Sequence, residues 1–126
     1  MLSYLSTGMF LLVGLINAYP LVGITGTSSL NRLYGIDIID PNLLLLMRHR
    51  AVLFGIVGGL LLYASFYSEH RTLATIIGLV SMLSFVVLMF TGDTFNTQLW
   101  RIFWADVIAS VLLVIGYLAF RYTQPT

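Results

Sequence analysis

Residues 72–90 read TLATIIGLVSMLSFVVLMF, nineteen positions without one ionisable side chain. A bilayer core of roughly 30 Å needs about 20 mostly apolar residues in helical form, so this stretch suffices to cross it. Three further stretches, 4–22, 43–67 and 102–120, come close to the same length and character. The composition agrees: of 126 residues, 59% are hydrophobic and 9% charged, against roughly 25% charged in an ordinary soluble domain. The expected fold is an all-α integral membrane four-helix bundle, with helices at about 4–22, 41–67, 72–90 and 100–120. With no internal repeat and no low-complexity segment, residues 1–126 form a single four-helix transmembrane domain in this reading. The first stretch has neither a cationic start nor a small-x-small cleavage site, so a retained helix is expected rather than a removed signal.

The connections sharpen this picture. Residues 68–71 and 91–99 are short links, which in a bundle join antiparallel neighbours. The longer link, 23–40, contains Ser28, Ser29, Leu30, Leu33, Tyr34 and Gly35. It reads as a short interfacial helix between helices one and two, stopped by glycine and capping one end of the bundle. Asp40-Pro41 then gives an N-cap followed by proline at the first helical position, so helix two starts there. Orientation follows from the arginines. One side of the bundle holds both termini, Arg71 and Arg121, and the other holds Arg32, Arg48, Arg50 and Arg101. Arg48, Arg50 and Arg101 sit at or inside helix ends, and Asp37, Asp40 and Asp93 share their side. Leaving those three arginines out of the positive-inside count puts the termini in the cytoplasm.

Several chemistries are excluded by residue type. The net charge is +1, so no basic field exists to hold nucleic acid. All six cations are arginine, which removes a Walker-A lysine and a Schiff-base lysine. There is no cysteine, hence no disulfide, thiolate nucleophile or iron–sulfur ligation. His49 and His70 are the only histidines, 21 residues apart. On one helix that is roughly 31 Å, too far to share one ion. No metal, no cofactor and no catalytic residue is assigned. His70, in a turn with Glu69 and Arg71, reads as solvated, and Trp100, Trp104, Tyr4, Tyr19, Tyr63, Tyr67 and Tyr122 read as an interfacial aromatic belt.

Ionisable groups within a span are costly and mark candidate sites. At roughly 100° per residue, helix two aligns Arg48, Val52, Gly55, Gly59, Leu62 and Phe66. Gly55 and Gly59 form a G-x-x-x-G pair, the pattern of close helix packing, so Arg48 falls on the packing face. Arg50, about 200° away, stands above Phe54, Val57 and Leu61 and points to lipid. Helix four aligns Asp106 with Ile102, Ala109, Ser110, Leu113 and Tyr117, while Arg101 points away. Asn17, late in helix one, reaches the same end. The expected site is a polar cluster of Asn17, Arg48, His49 and Asp106 beneath the cap, with Gly55, Gly59 and Ala109 as packing residues. Such a cluster serves either as an ion pair that fixes helix register or as the head-group site for a lipid or quinone-like amphiphile.

The runs Arg32-Leu-Tyr-Gly35, Asp40-Pro-Asn-Leu43, Leu46-Met-Arg-His-Arg-Ala-Val-Leu-Phe-Gly55 and Ala105-Asp106-Val107 resemble a family of small bacterial inner-membrane proteins. The resemblance covers most of the chain. It implies a four-helix membrane bundle of uncharacterised function and draws attention to Arg48, His49, Arg50 and Asp106. Members often carry the automatic label phosphopantetheine adenylyltransferase. That enzyme is a soluble α/β protein with an H-x-G-H motif, which neither His49 nor His70 begins, so this activity is not expected here. The function read from the sequence is a non-enzymatic membrane module in the bacterial inner membrane. It is an accessory or scaffold subunit, a homo-oligomer or part of a larger membrane complex, in contact with membrane lipid. The alternative is a small transporter or membrane enzyme acting on an amphiphile at the cluster.

Overall fold

The structure is a computed structural model and describes residues 2–92 and 94–123. Asp93, counted above among the acids of one side, lies outside the described residues, as do Met1 and residues 124–126. The chain begins with α1 (Leu2–Ala18), which tightens into a 3-10 helix (Tyr19–Thr25). Pro20 has no N–H to carry the α1 ladder on to the Ile16 carbonyl, and the α-helix gives way to the tighter form at this point. There follow α2 (Thr27–Tyr34), α3 (Pro41–Phe66), a 3-10 turn (Ser68–His70), α4 (Arg71–Met89) and α5 (Thr97–Thr123). Four segments, Ser3–Thr25, Pro41–Phe66, Ser68–Met89 and Thr97–Thr123, are long and apolar enough to cross a membrane. No strand occurs among the described residues.

Each boundary has a local cause. Gly35 ends α2 at φ 67°, the left-handed conformation open to glycine, and its N–H donates to the Asn31 carbonyl. Asp40 caps α3 by accepting from the Asn42 N–H at 2.9 Å, and Pro41 opens the helix. Asn96 caps α5: its Oδ1 accepts from the Leu99 N–H at 2.8 Å.

The long helices form a closed ring in which α1 packs on α3 and α5, and α4 packs on the same two. Lipid is as apolar as leucine, so such helices associate through close packing and hydrogen bonds rather than by escaping water. Accordingly, small residues line the contacts. Ala64, Ala74, Gly78, Ala109 and Gly116 are buried beside Phe10, Val13, Leu61, Met82 and Leu113. A second core of Leu30, Tyr34 and Ile38 seats α2 over the ends of α3 and α5, with Leu44, Met47 and Leu99 packed against it.

The face that α3 turns inward differs from the sequence expectation. Ala51, Gly58, Leu61, Ala64 and Ser65 are buried, whereas Arg48, Gly59 and Phe66 are exposed. A Cβ on Gly58 would stand 2.5 Å from the Ala18 nitrogen, while one on Gly59 meets nothing within 4 Å. Gly55 is half-buried against the Leu21 side chain. The close approach of α1 and α3 therefore runs through Gly58 and not Gly59. Apolar residues surround α3 on all sides, so its pattern carries no preferred direction. Ala109 is fully buried.

Candidate functional site

Polar side chains gather at both ends of the bundle. At the end holding the described termini, Arg71 is 6% exposed, although the sequence places it in a turn. Its Nε donates to the Ala64 carbonyl at 2.9 Å and Nη2 to the Ser65 carbonyl at 2.7 Å. These are carbonyls of the last turn of α3, which no longer have helical partners. Nη1 reaches Ser6 Oγ at 3.2 Å and Nη2 also reaches Thr7 Oγ1 at 3.0 Å, both on α1. The Phe10 and Phe120 rings lie 5.3 and 5.2 Å from the guanidinium carbon. Thus Arg71 touches all four spans, and its donors are occupied by the protein itself.

At the other end, the four residues expected to cluster are apart. Asn17 is buried in the core, donating from Nδ2 to the Val13 carbonyl at 2.9 Å and to Met82 Sδ at 3.5 Å. Arg48 turns to the other side of α3, where its Nε donates to the Ile24 carbonyl at 2.9 Å and ties the 3-10 helix down. His49 is exposed. Asp106 is half-buried and lines a cleft with Arg32 and Arg101. Among the described residues no arginine lies within ion-pair distance of an acid, and the one such contact joins His70 to Glu69 at 3.8 Å.

The residue that does enter the bundle here is Arg50. Turning α3 so that Gly58 packs on Ala18 carries Arg50 inward and Arg48 outward. Its guanidinium carbon lies 5.2 Å from the Tyr34 ring centroid, 5.0 Å from that of Phe54 and 5.6 Å from that of Phe85. Three rings from α2, α3 and α4 thereby present their π-faces to one cation, an attraction that grows as water is removed. The hydrogen bonds made by arginines among the described residues belong to Arg32, Arg48 and Arg71. Arg50 stands at the head of a cleft of about 520 Å³ between α3 and α4, walled by Leu53, Val57 and Leu88. Ser81 and Ser84 add hydroxyls on the α4 side.

Tyr34 lines both this cleft and the one containing Asp106, so its ring is the partition between them. Burial raises its phenol above the usual value of 10.0; the Arg50 charge opposes that shift and the Asp106 charge reinforces it. Sequence reasoning passed over this pair because α3 offered no direction. The signal within reach was Phe54, one helical turn after Arg50 and on the same face of α3.

No group of three or more His, Asp or Glu side chains converges as a metal site among the described residues. Comparison of the chain with known family models, with curated proteins and with solved structures returns no match. The fold defines the class: an all-α, multi-pass membrane protein of four spanning helices under a short capping helix.

Proposed function

We propose that this protein is a non-enzymatic membrane module that holds an amphiphile, a lipid or a quinone-like molecule, in the cleft between α3 and α4. Arg50 takes the anionic or carbonyl head group, and the chain of the ligand lies along Leu53, Val57 and Leu88. The observation that carries this reading is the Arg50 guanidinium, held by three aromatic rings with no acid in ion-pair contact. Rings satisfy the faces of a guanidinium, but its five N–H donors lie in its plane and point outward. A cation within a span is costly unless those donors are taken, and phosphate, carboxylate and carbonyl oxygens match their fork. Apolar walls with a few convergent polar groups are the usual form of such pockets. On this reading the module serves as an accessory or scaffold subunit, self-associated or within a larger complex. On the same reading it lies in a bacterial inner membrane, as the resemblance noted in the sequence implies, with the termini in the cytoplasm, as the arginine count implies.

Native mass spectrometry of protein extracted gently from its own membrane tests the pocket. A defined small-molecule adduct is expected on the wild type and on Arg48→Gln, and is absent from folded Arg50→Gln. A folded Arg50→Gln that keeps every adduct of the wild type, or a wild type that carries none, removes the proposal. Co-purification of a second protein, or of a stoichiometric oligomer, supports the accessory role, and a bare monomer counts against it.

A further inference from the structure

The second cleft, of about 500 Å³, lies on the other side of Tyr34, between the end of α1, α2 and the first turns of α5. It differs from the Arg50 cleft in holding charges of both signs. Arg32 of α2 and Arg101 of α5 are exposed beside it, and Asp106 is half-buried in its wall. Asp106 follows Arg101 by five positions, so its backbone stands roughly 7.5 Å further along α5, toward the middle of the bundle. Leu15 and Ile16 supply apolar wall. None of these charges is consumed by another, since neither arginine is in ion-pair contact with Asp106. Arg32 makes one long bond, 3.4 Å from Nη2 to Ser29 Oγ.

From the membrane surface inward, the cleft thus offers two guanidinium forks, then a carboxylate, with apolar wall alongside. The forks match a phosphate. A carboxylate accepts hydrogen bonds and donates none, so what it takes from a ligand is an O–H or N–H. The apolar wall takes a hydrocarbon chain. This order selects an amphiphile whose phosphate is followed, on its tail side, by a free hydroxyl. A lysophospholipid has that order. In a diacyl phospholipid the same oxygen is esterified and would face the carboxylate as a second acceptor.

We propose that this cleft binds a single-chain lysophospholipid, with its phosphate at Arg32 and Arg101 and its free glycerol hydroxyl at Asp106. The site is separate from the Arg50 cleft and does not rest on that reading.

The purified full chain in detergent micelles is titrated with oleoyl lysophosphatidate and with dioleoyl phosphatidate, and bound states are counted by native mass spectrometry. Circular dichroism checks that each variant keeps its helicity, and glycerol 3-phosphate serves as a soluble competitor. The wild type is expected to prefer the lyso form by about tenfold or more, the effect of one hydrogen bond to a charged group. Arg32→Gln and Arg101→Gln each weaken lysophosphatidate by about tenfold. Asp106→Asn, close in shape and able to donate as well as accept, brings the two lipids near parity while still binding. In the Arg50→Gln background, where the other cleft has lost its head-group cation, the preference for the lyso form persists, and glycerol 3-phosphate at matched concentration displaces nothing. Equal wild-type affinity for the two lipids overturns the proposal, as does lyso binding that ignores Arg101→Gln and Asp106→Asn. Loss of binding in Arg50→Gln assigns the lipid to the other cleft instead. Displacement by glycerol 3-phosphate shows a site for soluble phosphate, with no role for the apolar wall.

Discussion

Arg71 and Ser6 meet across the bundle: the arginine donates from Nη1 to Ser6 Oγ at 3.2 Å, and the serine hydroxyl donates on to the Gly116 carbonyl at 2.8 Å. One relay of two side chains therefore connects the start of α4, the start of α1 and the end of α5. The same guanidinium closes the last turn of α3 through Ala64 and Ser65. In lipid, where apolar packing alone does not choose a register, directional bonds of this kind do.

Replacing Arg71 by Met keeps length and apolar contact but leaves the Ala64 and Ser65 carbonyls buried without donors. At roughly 1–3 kcal/mol for each of these two buried unsatisfied groups, the expected loss is about 2–6 kcal/mol. Arg71→Lys retains part of it, because one ammonium cannot reach acceptors on both sides of the planar fork. Unfolding by sodium dodecyl sulfate in mixed micelles reads the difference. An unchanged midpoint for Arg71→Met means that the network contributes nothing.

The adjacent glycines of α3 give a contrast of sign. Gly58→Ala puts a methyl against the Ala18 backbone, which has no rotamer to yield, and overpacking of this kind costs about 1–3 kcal/mol. Gly59→Ala meets open space and gains roughly 0.5–1 kcal/mol of helix preference. The same unfolding assay should move in opposite directions for the two variants. Equal effects would return the packing face to the Gly55 and Gly59 stripe.

That contrast also marks what the sequence makes legible. The four spans, the stop at Gly35 and the start at Asp40-Pro41 are written in composition and local chemistry, and the structure has them, although α5 runs three residues past the expected 100–120 at each end and α1 tightens to 3-10 after Ala18. The inward face of α3 is not, because a helix apolar all round states no direction and its three glycines allow two answers. A rotation by one glycine exchanges Arg48 for Arg50, and with it the identity of the arginine that enters the bundle. Arg71 was hidden differently. It sits at a helix start beside Glu69 and His70, where solvation is the ordinary reading, and only Ser6, Thr7 and Ser65 on other spans point to its burial.

Asn96 couples the cap to the bundle. Its Nδ2 donates to the Tyr34 carbonyl at 2.7 Å and to that of Gly35 at 3.3 Å, while its Oδ1 caps α5. Asn96→Ala removes both functions and is expected to cost about 1–2 kcal/mol. Asn96→Asp keeps the cap and loses the donors, so α5 holds while α2 loosens. Hydrogen exchange resolved by segment separates the two: α2 amides exchange faster in both variants, and the first turn of α5 only in Asn96→Ala. Uniform acceleration in Asn96→Asp contradicts this division.

Tyr34 gives the fold a dependence on alkaline pH. Burial raises its phenol above 10.0 in the folded chain, with Arg50 opposing and Asp106 assisting. The folded state therefore prefers the neutral phenol, while the unfolded chain ionises at the ordinary value. Below about pH 10 both states hold the proton and stability is unaffected by this group. Above that, the unfolded state releases a proton that the folded state retains, and stability falls with a slope of at most about 1.4 kcal/mol per pH unit until the folded phenol also ionises. Tyr34→Phe cannot ionise and removes this contribution, so the difference in unfolding midpoint between wild type and Tyr34→Phe should be constant below about pH 10 and shift in favour of the variant above it. Arg50→Gln takes away the charge that opposes the shift, which raises the Tyr34 phenol further and carries the loss to still higher pH. Near-ultraviolet difference absorbance of the folded protein follows the same phenol directly. Parallel pH profiles for wild type and Tyr34→Phe would place the Tyr34 hydroxyl in water, and with it open the partition between the two clefts.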